Sequence, residues 1–192
     1  MALPRVVLIG DSIRIGYEEF VRERLESKAD VISAEENART STVVLDNLQA
    51  WAIDPQPDIV HLNCGLHDIR REFGAEVNAV QLHDYARNLE RIFQSLVENT
   101  QASVIWASTT PVNQQWHHQT KDFDRFEEDV LAYNAQAKAI AESMQLKIND
   151  LHAIIQQAGR DRLLRDDGVH YTPSGSRLLG HAVADVVSKA LR

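Results

Sequence analysis

The chain has 192 residues, 44% of them hydrophobic, enough to bury one sizeable core and short for two, so a single domain over residues 1–192 is expected. A formal net charge of −8 argues against nucleic acid or an anionic membrane as the main partner, since both need a basic surface, and favours a small neutral or cationic substrate. Cys64 is the only cysteine and the opening Met-Ala-Leu-Pro-Arg lacks the pattern of a secretory signal, so no intrachain disulfide and a cytoplasmic location are expected.

Arg5–Ile9 is a short apolar run rich in β-branched residues, and Gly10-Asp11-Ser12 follows it directly. Ala29–Ser33, Asp58–Cys64, Ser103–Ser108 and Leu146–Asn149 read the same way, as strands covered on both faces. Between them, Tyr85, Leu89, Ile92 and Leu96 recur at helical spacing, as do Phe123, Phe126, Val130, Ala137, Ile140 and Met144. Pro111–Lys121 is the least regular stretch and reads as a loop carrying Trp116, His117 and His118, either facing substrate or simply exposed. Thr172-Pro173 predicts an N-cap with proline at the first helical position, opening a C-terminal helix. Alternation of strands and helices predicts an α/β fold with three layers, α/β/α, around a five-stranded parallel sheet. Such sheets bind ligands beyond the carboxyl ends of their strands, where Ser12 falls. No apolar run approaches the roughly 20 residues of a membrane span.

Two short segments carry chemistry. Gly10-Asp11-Ser12 supplies a hydroxyl at a strand-to-helix turn, and Asp167-Gly168-Val169-His170 supplies an imidazole and a carboxylate. A serine hydroxyl becomes a competent nucleophile when an imidazole takes its proton and an acid orients that imidazole, so the set points to ester cleavage. Ser12 is the candidate nucleophile, His170 the general base and Asp167 its orienting acid. Cys64 ends a buried run and reads as a structural thiol. His67, Asp68, His117 and His118 lack zinc-ligand spacing, so neither metal nor cofactor is expected. Trp51, Trp106, Phe73 and Phe93 read as core.

These blocks, together with Glu36-Asn37-Ala38-Arg39-Thr40-Ser41 after the second strand and Asn63-Cys64-Gly65-Leu66-His67-Asp68 after the third, resemble the SGNH/GDSL hydrolase family in the order of all four motifs. The resemblance spans Gly10 to His170 and implies a flavodoxin-like domain with esterase, thioesterase, lysophospholipase or carbohydrate deacetylase activity. It also implies an oxyanion hole built from the N–H groups of Ser12 and Ala38 and a side chain at His67. Ala38 stands where the family commonly has glycine, and His67 where it has asparagine; an imidazole can donate through N–H in asparagine's place. Asp11, Asn37, Asn63, Gly65 and Asp68 fall in supporting positions. The expected activity is a short-chain acyl or acetyl esterase working on a small-molecule ester through an acyl-enzyme. A thioesterase or acyltransferase would use the same triad, and a binding module with a dismantled oxyanion hole is the reading from another class.

Overall fold

The apolar runs pair side by side because each presents two hydrophobic faces that a single layer of helices could not cover. A computed structural model describes residues 2–34 and 36–191. Its strands are β1 (Arg5–Ile9), β2 (Asp30–Ser33), β3 (Ile59–Leu62), β4 (Arg71–Glu72), β5 (Ser103–Ala107), β6 (Phe123–Asp124) and β7 (Lys147–Asn149). Five of them form one parallel sheet in the order β2-β1-β3-β5-β7. Chain order reverses direction at β1, with β2 on one side and β3 on the other, so the first strand ends at the crevice where this topology places ligands. In register, Leu8 faces His61 and Ile9 faces Leu62, which brings the ends of β1 and β3 level.

The helices are α1 (Ser12–Leu25), α2 (Ser41–Leu48), α3 (Leu82–Asn99), α4 (Gln114–Thr120), α5 (Glu127–Ser143), α6 (Leu151–Ala158), α7 (Arg160–Leu163) and α8 (Pro173–Ala190). Packing of α1 against α8 builds one outer layer, and α3 packs between α2 and α5 in the other. The stripe Tyr85, Leu89, Ile92 and Leu96 is wholly buried on α3, as the periodicity requires. Val6 to Ile9 and all of β3 are buried, with Trp106 and Phe93 among the largest enclosed side chains. Among the described residues, no helix is long and apolar enough to cross a membrane.

The structure departs from the sequence reading in three places. Phe123 and Phe126 do not lie on a helix: Phe123 belongs to β6, which pairs antiparallel with β4, and Phe126 caps α5. The helix begins instead at Glu127-Glu128-Asp129, three acids that suit the positive end of the helix dipole. Second, most of Pro111–Lys121 is not loop but α4, started by Asn113, whose side chain accepts from the Trp116 N–H at 3.2 Å. Third, Phe73 is 49% exposed, because it follows the small β4–β6 ribbon outside the main core, and Trp51 is only partly buried in a π-helical turn at Gln49–Ile53.

Candidate active site

Ser12 is the first residue of α1, directly after β1, so its N–H has no carbonyl four residues back within the helix. The turn is set by Asp11, fully buried at the N-cap, whose Oδ1 accepts from the Ile13 N–H at 2.9 Å. Ser12 Oγ lies 2.9 Å from His170 Nε2, and His170 Nδ1 lies 2.5 Å from Asp167 Oδ2. Asp167 Oδ1 accepts from the backbone N–H of His170 at 2.9 Å and of Val169 at 3.1 Å. Burial alone would raise the Asp167 carboxyl, but these bonds from the His170 ring and the two N–H groups hold it well below the usual carboxylate range. An ionised Asp167 keeps the proton on Nδ1 and leaves Nε2 to accept from the serine.

One glycine makes this loop possible. Gly168, between the acid and the base, has φ +69, and a Cβ there would overlap the Asn113 carbonyl and lie 2.8 Å from the His117 nitrogen. The first turn of α4 thus seats directly under the Asp167–His170 loop, tied to it by the Asn113 N–H donating to the Gly168 carbonyl at 2.8 Å. Gly168→Ala is expected to lower activity by tenfold or more while costing about 1–3 kcal/mol of stability, read from kcat/KM and urea unfolding of the same preparation.

The other motif residues converge on the carboxyl ends of β1 to β3, each with a traceable contact. Asn37 Oδ1 accepts from the Arg39 N–H at 2.9 Å, bending the chain so that Arg39 takes φ +52. Ala38 therefore carries no left-handed strain. Its N–H donates to the Gly10 carbonyl at 3.1 Å, so it is not the free oxyanion donor that the motif implied. Asn63 is buried and donates to the Ala107 carbonyl at 2.9 Å, bridging the ends of β3 and β5. Gly65 has φ +142, and a Cβ there would collide with Thr109 Oγ1. His67 is partly buried, and its imidazole is pushed down by burial and by Arg125, Arg39 and Arg70, against an opposing pull from Asp11; it is neutral near pH 7 and carries one N–H.

Asp68 points away from the triad toward α2. Its Oδ1 accepts from the Ser41 hydroxyl at 2.5 Å and the Ser41 N–H at 2.9 Å, satisfying the start of that helix. Burial outweighs these bonds and pushes the carboxyl up to about 6. An unfolded aspartic acid ionises near about pH 4, so between about pH 4 and 6 the folded chain holds a proton that the unfolded chain has released. Stability is expected to fall as pH rises through this window, by up to about 3 kcal/mol, and Asp68→Asn should remove that slope in urea titrations at several pH values. Asp167 acts in the opposite sense and at lower pH, since its depressed carboxyl stabilises the fold above about pH 4 and loses that contribution on acidification.

Lys121 and Arg125 go unnoticed in the sequence as residues of the site, whereas His117 and His118 read there as substrate-facing or exposed. Lys121 Nζ lies 3.5 Å from Asp167 Oδ2, the oxygen that also faces the His170 ring. His117 is buried, not exposed or facing substrate, and its Nε2 accepts from Arg125 Nη1 at 3.1 Å. His118 is exposed and paired with Asp124 at 2.8 Å. An N-cap signal at Asn113 was available for α4; nothing in the local pattern around Arg125 marks it. Beside Ser12 and His170 lies a cavity of about 310 Å³ walled by the apolar Ile13, Ile15, Phe20, Tyr171 and Pro173 and by the polar Glu19, Arg165 and Ser176. A larger, shallower hollow of about 800 Å³ between α1 and β2 is lined by Arg14, Glu18 and Arg22 and contains no member of the triad.

The family model for GDSL-like lipases and acylhydrolases matches residues 8–178. Among solved structures, the chain is similar to a lipase/acylhydrolase from Enterococcus faecalis, at 20% identity and a TM-score of 0.83, covering 99% of this chain and 98% of that one. It is also similar to a GDSL-like lipase from Bacteroides thetaiotaomicron, at 21% identity and a TM-score of 0.74, covering 97% and 89%. An acetylxylan esterase from Geobacillus stearothermophilus matches at 16% identity and a TM-score of 0.75, covering 99% and 94%. At these identities the likeness is one of fold. No curated protein matches the chain in sequence.

Proposed function

From the premise that the chain belongs to the GDSL-like lipase/acylhydrolase family and is a hydrolase acting on ester bonds, we propose that it cleaves small carboxylic esters, with acetyl or another short acyl group, through an acyl-enzyme on Ser12. The observation that carries this reading is the unbroken hydrogen-bonded line from Ser12 Oγ through the His170 ring to Asp167, at 2.9 and 2.5 Å. Ser12 Oγ attacks the carbonyl carbon as its proton passes to His170 Nε2; the tetrahedral intermediate collapses, and the same proton goes to the departing alcohol. Water then attacks the acyl carbon as its proton passes to Nε2, and the Ser12 Oγ–acyl bond breaks as Oγ takes that proton back, releasing the acid. The Ser12 N–H and the neutral His67 imidazole serve as donors to the oxyanion, with Ala38 contributing only if its bond to Gly10 is shared. The size of the cavity, about 310 Å³, and the apolar part of its lining support a small acyl or alkyl group beside the nucleophile.

Treatment with a fluorophosphonate in the presence of chelator should label Ser12 stoichiometrically and abolish hydrolysis of p-nitrophenyl acetate. Labelling elsewhere, or full turnover after labelling, would refute the proposal. For the oxyanion hole, His67→Ala should lower kcat by roughly 10²-fold or more with little change in KM, and a drop below about twofold would remove His67 from that role. An acyltransferase acting through the same triad would instead divert acetyl to added alcohols in competition with water.

A further inference from the structure

The chain carries a net charge of −8, yet the ground around its nucleophile on the β4, α4 and β6 side is cationic. Arg125 is the anchor. Its side chain is about 95% buried, with 5% relative exposure, and Nε donates to the Leu66 carbonyl at 2.6 Å, next to His67. Nη1 bonds His117, whose own backbone packs under Gly168 of the triad loop. Nη2 has no protein partner among the described residues, and it is not enclosed either. No carboxylate among the described residues lies within 4 Å of this guanidinium. Arg70 sits over the same Phe123 ring that Arg125 approaches, with guanidinium carbons 4.0 and 4.9 Å from its centroid.

The local anions offset this charge only in part. Asp167 is answered by His170 and Lys121, and Arg70 by Glu72 at 2.8 Å. Asp11 spends one oxygen on the Ile13 N–H, its Oδ2 is buried without a partner among the described residues, and it stays beyond ion-pair distance of Arg125 while close enough to favour the guanidinium's charge. Arg39, exposed on the left-handed turn beside Ala38, makes no ion pair among the described residues. Burial pulls Arg125 down to about 10, so it remains charged at neutral pH at an energetic cost that no protein carboxylate offsets at contact distance. A buried guanidinium whose Nη2 has no partner among the described residues can donate to an oxyanion.

We infer that this active site selects esters bearing an anionic group, with Arg125 contacting the anion and Arg39 attracting it at the rim. The inference rests on the esterase reading above and names its substrate class. The anion is a carboxylate, sulfate or phosphate on either the acyl or the alcohol half.

Matched ester pairs test it: mono-p-nitrophenyl adipate against p-nitrophenyl hexanoate places charge on the acyl half, and p-acetoxybenzoate against its methyl ester places it on the alcohol half. Relative to the uncatalysed rates, wild type should favour the anionic member of at least one pair by about tenfold or more in kcat/KM, and the pair that responds identifies the half. Arg125→Gln should cut that anionic-to-neutral ratio at least about tenfold, Arg125→Lys less, and the exposed Arg39→Gln about threefold. Raising ionic strength from about 0.05 to 0.5 M should slow only the anionic esters of the wild-type enzyme, a readout independent of whether the Arg125 variants fold. Equal losses for both members of each pair would overturn the inference and assign Arg125 to the transition state or the fold, while leaving the esterase reading intact. A wild-type preference for neutral esters would also overturn it. No turnover of any of the four esters would refute the esterase reading and the inference with it.

Discussion

Ser12→Ala is expected to lower kcat for p-nitrophenyl acetate by about 10⁴-fold or more while leaving the circular-dichroism spectrum and unfolding midpoint near those of wild type. The size of the effect follows from what the hydroxyl does: among the described residues, no other nucleophile stands at the carboxyl end of β1. Cys64 is wholly buried with its thiol pushed far up by burial and by the nearby Asp68 and Asp11 carboxylates, so it holds its proton and cannot substitute. The fold tolerates the change because Ser12 is only partly buried and the helix cap belongs to Asp11. Steady-state kinetics under chelator, with both proteins checked for folding, measure it. A loss smaller than about tenfold would place the chemistry on another residue.

Asp167→Asn should cost about 10³–10⁴-fold in kcat, nearly as much as loss of the nucleophile. Each carboxylate oxygen faces only donors: Oδ1 meets the N–H groups of Val169 and His170, and Oδ2 meets His170 Nδ1 and Lys121. An amide has one acceptor and one donor end, so either orientation sets its NH₂ against existing donors. With the NH₂ toward the ring, the imidazole moves its proton to Nε2 and can no longer take one from Ser12. With the NH₂ toward the backbone, the loop that carries His170 loses its two anchoring bonds. Single-turnover rates over a pH series separate these cases, since the wrong tautomer lowers the rate at every pH where the imidazole is neutral. Retention of more than about a tenth of the wild-type rate would move the orienting role elsewhere.

The parallel sheet was legible because buried strands must be apolar on both faces, and the runs at Arg5–Ile9 and Asp58–Cys64 have no other stable use. The structure trims the second of these to Ile59–Leu62, since Asn63 turns its amide to the Ala107 carbonyl and the chain leaves the ladder there. The paired motifs placed Ser12, Asp167 and His170 as candidates because their chemistry depends on residue type and order along a known topology. What stayed hidden depends on tertiary packing. Phe123 and Phe126 match a helical period, yet Phe123 pairs with Glu72, 51 residues earlier, through a contact no local pattern announces. His117 reads as polar and exposed until α4 docks under Gly168 and encloses it. Ala38 shows the same limit at the level of one bond, because motif order locates its N–H but only the fold reveals the Gly10 carbonyl that takes it.

The central claim is a covalent acyl-enzyme on Ser12, and trapping it is the most direct test. Rapid acid quench of the enzyme after brief exposure to p-nitrophenyl acetate, followed by intact-mass measurement and peptide mapping, should show one acetyl group, on the peptide containing Ser12, together with a burst of p-nitrophenol matching the enzyme concentration. Because accumulation requires acylation to outpace deacylation, an ester of slower deacylation serves as the comparison under the same quench. Steady turnover with no acetyl on Ser12 under either ester, or acetyl found on another residue that persists in Ser12→Ala, would contradict the account.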